Sequence, residues 1–241
     1  METTAAFSGL VCTDCENRFD AEEVTHQCPD CGGILDPSYD YDAIDLERKD
    51  FETRPFDGMW RYEELLPIPR KAAVTMDEGT TPLIECPKLA DELGVSRVLI
   101  KDEGRNPTGS FKDRGHALAV SAAREHGASD IALASAGNAG QAAAAYAARA
   151  GLRSHVFVPS RANFVNKAMI NVHGGDMTVV EGRFEDAAAA CAEAMEDEWY
   201  STSSFTTPYR HEGKKTMLYE IIEQLGWEVH ERIVYPTGGG V

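Results

Sequence analysis

A lysine at a predicted helix start is the residue of this sequence best suited to covalent chemistry. Lys112 follows residues 106–111, where Pro107 and Gly109 predict a turn, and apolar residues from Phe111 onward recur at helical spacing. The positive end of a helix dipole disfavours an ammonium group, so the position predicts a lowered pKa for Lys112. A neutral amine is the form that makes a Schiff base. The alternative is a solvated lysine on a helix surface.

Two further loops carry groups that suit a phosphorylated cofactor. Residues 135–141 follow a predicted strand, and Asn138 there could contact a ligand or cap the next helix. Residues 236–241 contain three successive glycines, whose N–H groups can hold a phosphate or can form a plain turn. An amine nucleophile, a side-chain amide and a phosphate cradle together match the needs of pyridoxal phosphate.

The elements that must position these loops alternate between strands and helices. The predicted strands are residues 97–101, 130–134, 154–158, 177–180 and 232–235, and the predicted helices are residues 112–126, 139–150, 163–172, 183–196 and 212–225. This alternation predicts an α/β fold with a mostly parallel sheet and helices on both faces. Ligands bind beyond the carboxyl ends of the strands in such sheets, and the three loops are expected there.

Four cysteines near the N-terminus are spaced for a metal site. They form two Cys-x-x-Cys pairs separated by twelve residues, namely Cys12, Cys15, Cys28 and Cys31. Four thiolates complete a tetrahedral zinc shell and leave no open position for catalysis. The spacing therefore predicts a zinc ribbon with structural Zn²⁺, and the alternatives are redox-active thiols or unmetallated cysteines. His26 is close in sequence, but we expect it to lie outside the shell.

The composition is strongly acidic, with 40 Asp and Glu against 23 Lys and Arg and a formal net charge of −17. This charge argues against a nucleic-acid partner or an anionic membrane, and its spread along the chain suggests a halophilic habitat. No apolar run approaches the roughly 18 residues of a membrane span, and the N-terminus lacks a signal-peptide pattern. We expect a cytoplasmic protein that binds a small molecule.

Several motifs together resemble the fold type II pyridoxal-phosphate enzymes, whose fold is that of the tryptophan synthase β subunit. They are the sequence from Pro107 to Arg114, the pattern Ser135-x-Gly137-Asn138 and the terminal glycines. Within that group, the cysteine ribbon and residues 60–62, 78–83 and 208–216 resemble the threonine synthases. The resemblance covers nearly the whole chain. It divides the chain into a zinc ribbon (1–35), an acidic linker with a short helix (36–75) and a pyridoxal-phosphate-dependent α/β region (76–241).

The resemblance implies roles for individual residues. Lys112 would carry the Schiff base with pyridoxal 5′-phosphate, and Asn138 would hydrogen-bond the ring oxygen of the cofactor. The cofactor phosphate would be held by Gly238, Gly239, Gly240 and the Val241 amide. The implied reaction converts O-phosphohomoserine and water to L-threonine and phosphate, in a possible homodimer. Ser110 and Arg114 could contact substrate or hold the loop, and for Arg114 a structural ion pair is favoured.

Two departures from the threonine synthase pattern keep other functions open. Residues 139–141 are closer to those of the threonine and serine ammonia-lyases, which makes that activity an alternative. The family pattern also continues for roughly a hundred residues or more beyond Val241, including the partner of the pyridine nitrogen. We expect a C-terminally truncated chain that alone binds cofactor weakly and turns over poorly. A third hypothesis is a protein-interaction module, the zinc ribbon, attached to an inactive enzyme body.

Overall fold

The computed structural model describes residues 1–24, 26–55, 57–228 and 231–237. Its N-terminal part is a three-stranded antiparallel sheet, in which β1 (Phe7–Cys12) pairs with both β2 (Arg18–Phe19) and β3 (Leu35–Tyr39). Leu10 and Leu35 are buried there beside Cys12 and Cys28. The sheet continues to Tyr39, beyond the expected ribbon limit at residue 35.

A helical and irregular segment connects this ribbon to the larger region. It contains α1 (Arg48–Glu52) and 3₁₀ helices at Tyr41–Ala43, Met59–Leu65 and Arg70–Ala72. The short helix predicted near Trp60 is therefore present. Trp60 is buried, and its indole N–H donates to a carboxylate oxygen of Glu78 at 2.6 Å. That hydrogen bond fixes the segment against the turn that leads into the α/β region.

The strand predicted at residues 97–101 has a different place from the one expected. β4 (Leu83–Glu85), α2 (Pro87–Leu93) and β5 (Leu99–Lys101) follow in order, and β4 pairs with β5 in a separate antiparallel ladder. The prediction that this strand belongs to the parallel sheet was therefore wrong. A strand pairs with the neighbour that its connection allows, which a single strand's sequence does not specify.

Within the described residues, the parallel sheet has four strands in the order β8-β7-β6-β9. The strands are β6 (Asp130–Ala134), β7 (Arg153–Pro159), β8 (Asp176–Val180) and β9 (Trp199–Ser201). β6 pairs with β7 and β9, and β7 pairs with β8, all in parallel. β9 was not predicted, because three residues are too few to show a periodic pattern.

Helices cover both faces of this sheet, which confirms the predicted fold class. The helices are α3 (Lys112–Glu125), α4 (Asn138–Ala150), α5 (Phe164–Val172) and α6 (Phe184–Glu193). Ile131 and Leu133 point into the core that also contains residues of α3 and α4. Ala132, between them, packs with Ala187 and Cys191 of α6 on the other face, as expected for side chains that alternate along a strand.

The last described elements differ from the single helix predicted at residues 212–225. α7 (Pro208–Glu212) leads through a 3₁₀ turn at Gly213–Lys215 into α8 (Thr216–Gln224). Residues 232–235 form no strand, so that prediction was wrong, and Val234 is 95% exposed. β-branched residues favour a strand only where a neighbouring strand accepts their hydrogen bonds. Across the described residues, no helix has the length and apolar character that a bilayer crossing requires.

Candidate active site and cysteine centre

A cavity of about 840 Å³ lies beyond the carboxyl end of β6. It is lined by Lys112 from the start of α3, Ser135 from the β6–α4 connection, Ala139 from the start of α4 and Arg210 from α7. The far wall comes from α6, including Cys191, and from residues of the connection after β9. Its position matches the expected ligand site of a parallel α/β sheet, and its volume is in the range of small-molecule sites.

The loop before Lys112 is held by hydrogen bonds within itself. The carboxylate of Asp113 accepts from the backbone N–H of Thr108 at 2.9 Å and from its hydroxyl at 2.7 Å. The hydroxyl of Ser110 accepts from the Lys112 N–H at 3.3 Å. The folded loop fixes the point at which α3 begins, and Ser110 contributes by holding the loop.

The second predicted loop is fixed by Ser135. Its hydroxyl accepts from the N–H groups of Gly137 at 3.2 Å and Gly140 at 2.9 Å, which satisfies donors at the start of α4. Asn138 is the first residue of α4 and is exposed, with Gly137 in the N-cap position, so Asn138 is not the helix cap. A Cβ at Gly140 would lie 2.9 Å from Val156, which explains the glycine.

One side chain joins the two loops. The amide of Gln141, on the first turn of α4, donates to the backbone carbonyl of Thr108 at 2.6 Å. Gln141 is buried, so this hydrogen bond is shielded from competing water. The bond sets the start of α3 beside the start of α4, and Lys112 and Ala139 from these two helix starts line one cavity, whereas Asn138 is not among the lining residues.

Three cations surround the cavity end of α3: Arg210 and Lys214 are buried, and Lys112 is half-buried. Burial, and then the charge of Arg210, lower the pKa of Lys112 to about 8. Burial lowers the pKa of Arg210 to about 10, and burial together with Arg210 and Lys112 lowers the pKa of Lys214 to about 7. The lowered pKa expected for Lys112 is confirmed, although burial is the largest cause. Among the described residues, none of the three cations has a carboxylate partner.

Neighbouring polar atoms are also left without partners. Arg210 donates one guanidinium N–H to the Thr202 carbonyl at 2.7 Å, but its Nε has no partner among the described residues. His116, one turn after Lys112, is fully buried, and neither ring nitrogen has a described partner. Buried polar groups are normally satisfied, so this arrangement fits an anionic ligand that supplies acceptors.

Arg114 has the structural role that was favoured for it. Its side chain is fully buried, and its guanidinium lies 2.7 Å from a Glu103 oxygen and 2.8 Å from a Glu220 oxygen. Burial lowers the pKa of Arg114, but the hydrogen bonds to Glu103 and Glu220 outweigh it and raise that pKa above its usual value. Arg114 therefore braces α3 against α8.

The segment that precedes the glycine run passes close to Lys112. The ring of Tyr235 lies edge-on to the ring of Phe111, with 5.8 Å between centroids. The Lys112 ammonium lies 3.8 Å from the centroid of the same Phe111 ring. The predicted phosphate cradle, which consists of Gly238, Gly239, Gly240 and Val241, lies outside the described residues.

The cysteines meet at one point in the ribbon. The four sulfur atoms of Cys12, Cys15, Cys28 and Cys31 all lie within 4.8 Å of one another, and two of the separations are 3.5 and 3.7 Å. Zn–S bonds of about 2.3 Å in a tetrahedron require sulfur atoms about 3.8 Å apart. The donor set and its spacing therefore fit Zn²⁺. His26 lies outside this cluster, as expected, and instead accepts from the Ser201 N–H at 3.0 Å.

Sequence reasoning assigned no role to several residues of the cavity. Arg210 lines the cavity and belongs to a motif that supported the resemblance, and the excess of basic over acidic residues in 208–216 was the available signal. His26, Gln27 and Cys191 reach the cavity through tertiary contacts that sequence spacing does not encode.

Comparison with known proteins places this geometry in a family. Residues 74–241 match the family described as pyridoxal-phosphate dependent enzymes. A threonine synthase from Methanosarcina acetivorans is 39% identical over 95% of this chain and 56% of its own length. A threonine synthase from Methanocaldococcus jannaschii is 36% identical over 94% of this chain and 56% of its own length. The chain thus spans about half the length of the curated relatives it matches.

Solved structures agree on the fold. A threonine deaminase from Solanum lycopersicum has a TM-score of 0.53 at 28% identity, covering 60% of this chain and 40% of its own. A serine ammonia-lyase from Rhizomucor miehei has a TM-score of 0.58 at 23% identity, covering 62% of this chain and 48% of its own, and shows the fold alone. The parallel sheet, the cavity beyond it and the family match lead to one conclusion: the chain belongs to the pyridoxal-phosphate dependent enzymes.

Proposed function

We propose that this chain functions as a threonine synthase, a lyase that converts O-phosphohomoserine and water to L-threonine and phosphate at Lys112. The observation that carries the proposal is the pairing of a half-buried amine, Lys112, with a buried guanidinium, Arg210, in one cavity without a described carboxylate partner. An amine suits the cofactor, and a free guanidinium suits a phosphorylated amino acid. The relatives from the two archaea are named threonine synthases, which supports this reaction.

The residues present fit pyridoxal phosphate. Bound there, the cofactor supplies a carbonyl carbon for an amine and a conjugated ring that stabilises negative charge on the substrate carbons. Lys112 supplies that amine, and Asn138 at the start of α4 is proposed to hydrogen-bond the ring oxygen. The cofactor phosphate is proposed to bind Gly238, Gly239, Gly240 and the Val241 amide. The contact of Tyr235 with Phe111 supports that part of the proposal, since it brings the preceding segment beside Lys112.

The side chains of the cavity are proposed to transfer protons, bind the substrate phosphate and limit the entry of water. Lys112, with a pKa of about 8, can hold or release a proton at Nζ near neutral pH, as a general acid and base must. Arg210 is proposed to bind the phosphate of the substrate, oriented by its hydrogen bond to the Thr202 carbonyl. Lys214 adds positive charge behind it. Apolar lining residues such as Ala139, Phe184 and Met195 limit the entry of water.

The proposal also includes structural Zn²⁺ at Cys12, Cys15, Cys28 and Cys31, which fits their sulfur spacing. Thiolates that bind a metal need a reducing compartment, which favours the cytoplasm. A homodimer remains a prediction.

Phosphate release tests the reaction directly. Under single-turnover conditions, with protein in excess over O-phosphohomoserine, we expect equal amounts of phosphate and threonine. Lys112→Ala should abolish both products, whereas Lys88→Ala, at an exposed position on α2, should not. Formation of a 2-oxo acid from threonine, with no phosphate released from O-phosphohomoserine, would instead establish an ammonia-lyase.

A further inference from the structure

The cysteine ribbon forms part of the cavity wall. His26 and Gln27 line the same cavity as Lys112 and Arg210, and Gln27 directly precedes the metal-site residue Cys28. The position of this wall is therefore tied to the position of a metal ligand one residue away.

Two contacts hold the wall against the α/β region. The His26 Nε2 accepts from the N–H of Ser201 in β9 at 3.0 Å. The His26 ring also lies against the ring of Tyr200, with 4.8 Å between centroids. β9 is a short edge strand, so the ribbon packs at the end of the strand where the cavity opens.

The ribbon reaches the cavity by a second route, through α7. The Tyr39 hydroxyl donates to a Glu212 oxygen at 2.5 Å, and a ring nitrogen of His211 lies 2.8 Å from an Asp36 oxygen. His211 and Glu212 directly follow Arg210 in α7. The strand β3 therefore supports the helix that carries the guanidinium of the cavity.

Gln27 presents an unused amide to the cavity. Gln27 is exposed at the edge of the cavity, and in the described parts of the chain no residue hydrogen-bonds it. A side-chain amide both donates and accepts, so it can recognise a carboxylate or a phosphate oxygen. A polar group of this kind, held at a cavity wall, is suited to orient a substrate.

We propose that the loop between Cys15 and Cys28 is a metal-dependent wall of the active site. Metal at the four cysteines fixes both ends of this loop, which places His26 on β9 and Gln27 in the cavity. Without metal the loop must be ordered by the ligand itself, which weakens ligand binding. The coupling is reciprocal, so a ligand in the cavity must also tighten metal binding. This inference rests on the proposed zinc site and cofactor.

Titration with pyridoxal phosphate tests the coupling. The imine absorbance gives the dissociation constant for the whole chain with zinc bound and after chelation. We expect at least fivefold weaker binding without zinc. In the reverse experiment, with Co²⁺ in place of Zn²⁺, saturating pyridoxal phosphate should raise the Co²⁺ affinity by the same factor. Equal affinities in both experiments would overturn the proposal.

Variants that retain the metal separate the wall from the stability of the ribbon. Zinc-loaded His26→Ala and Gln27→Ala should bind pyridoxal phosphate or O-phosphohomoserine at least threefold more weakly than the parent, with one zinc per chain retained. Arg18→Ala, at an exposed ribbon position, is the matched control and should bind normally. Unchanged binding in both cavity variants would refute the wall. If the zinc-loaded parent still formed an imine, the proposed function would keep its support. Failure of the wall proposal can therefore be distinguished from failure of the proposed function.

Discussion

Lys112 and Arg114 lie two residues apart at the start of α3, yet their charges have opposite surroundings. Arg114 is fully buried between the carboxylates of Glu103 and Glu220. Lys112 shares its cavity with another cation, Arg210, and has no carboxylate partner in the described chain. A buried charge is costly unless it is paired. The protein itself neutralises the Arg114 cluster, whereas the Lys112 cluster is suited to an anion from outside.

The difference separates a structural cluster from a functional one. Glu220 accepts from Lys101 and Arg114 and from the N–H groups of Thr80 and Thr81, so it joins three segments of the chain. Lys112, Arg210 and Lys214 form no ion pair with any residue that the structure describes, so this cluster does not join segments in that way. Substitutions in the first cluster should therefore change stability, and substitutions in the second should change ligand binding.

The largest expected effect is a loss of stability on substitution in the Arg114 cluster, in which Arg114 and Lys101 are paired with Glu103 and Glu220. Glu220→Gln leaves Arg114 and Lys101 short of a carboxylate, and we expect the free energy of unfolding to fall by about 3–5 kcal/mol. Denaturant unfolding followed by circular dichroism measures the change. A loss below about 1 kcal/mol would show that the Arg114 cluster does not stabilise the fold, and the two clusters would then not differ in role.

Arg210→Met should give the converse result. Loss of a charge-assisted hydrogen bond costs about 1.5–3 kcal/mol, so the affinity for inorganic phosphate should fall about 10- to 150-fold. Stability should change little, because the substitution removes an unpaired buried charge. Calorimetric titration with phosphate measures the affinity. Phosphate binding equal to that of the parent would place the anion site elsewhere.

The Lys112 cluster, which includes Lys214, should also make the free energy of unfolding depend on pH. The pKa of Lys214 is about 7 in the folded protein and roughly 10.4 when unfolded, so the unfolded chain binds more protons between these values. The free energy of unfolding should therefore rise as the pH increases from about 7 to 10. Lys214→Met should reduce that rise, and saturating phosphate should do the same by favouring the charged lysine. A rise as large in Lys214→Met as in the parent would contradict the account.

The smallest effect is expected at an exposed ion pair. Arg97 and Glu85 lie 3.2 Å apart with both side chains about half exposed. Arg97→Ala should change the free energy of unfolding by at most about 0.5 kcal/mol and leave phosphate binding unchanged. It serves as the surface control for the two buried clusters in both assays.

Much of the fold could be predicted because the apolar periodicity of a segment indicates whether it is a helix or a strand. The strand at residues 130–134 and the helix that begins at Lys112 have the predicted starts, since apolar spacing and turn residues agree there. β9 and the fate of residues 232–235 could not be predicted, since both depend on whether a neighbouring strand is available.

The site was predictable where chemistry lies in local motifs. Lys112 follows a turn at a predicted helix start, and the four cysteines form two Cys-x-x-Cys pairs, so their local sequence indicates their chemistry. Arg210 and Gln27, in contrast, reach the cavity from distant parts of the chain. Asn138 was expected to cap α4 or to contact a ligand, but Gly137 is the N-cap residue and the Ser135 hydroxyl accepts from the N–H groups at the helix start. Such exchanges between neighbouring polar residues depend on backbone geometry, which spacing alone does not determine.

Covalent trapping at the unpaired cluster tests the central claim most directly. Two amines with lowered pKa values, Lys112 and Lys214, lie near one another, so the experiment must distinguish them. The protein is mixed with excess pyridoxal phosphate, reduced with borohydride, digested and mapped by mass spectrometry. The account predicts the pyridoxyl group on Lys112, its loss in Lys112→Ala and its retention in Lys214→Met. Label confined to Lys214, or no site-specific label at all, would contradict it.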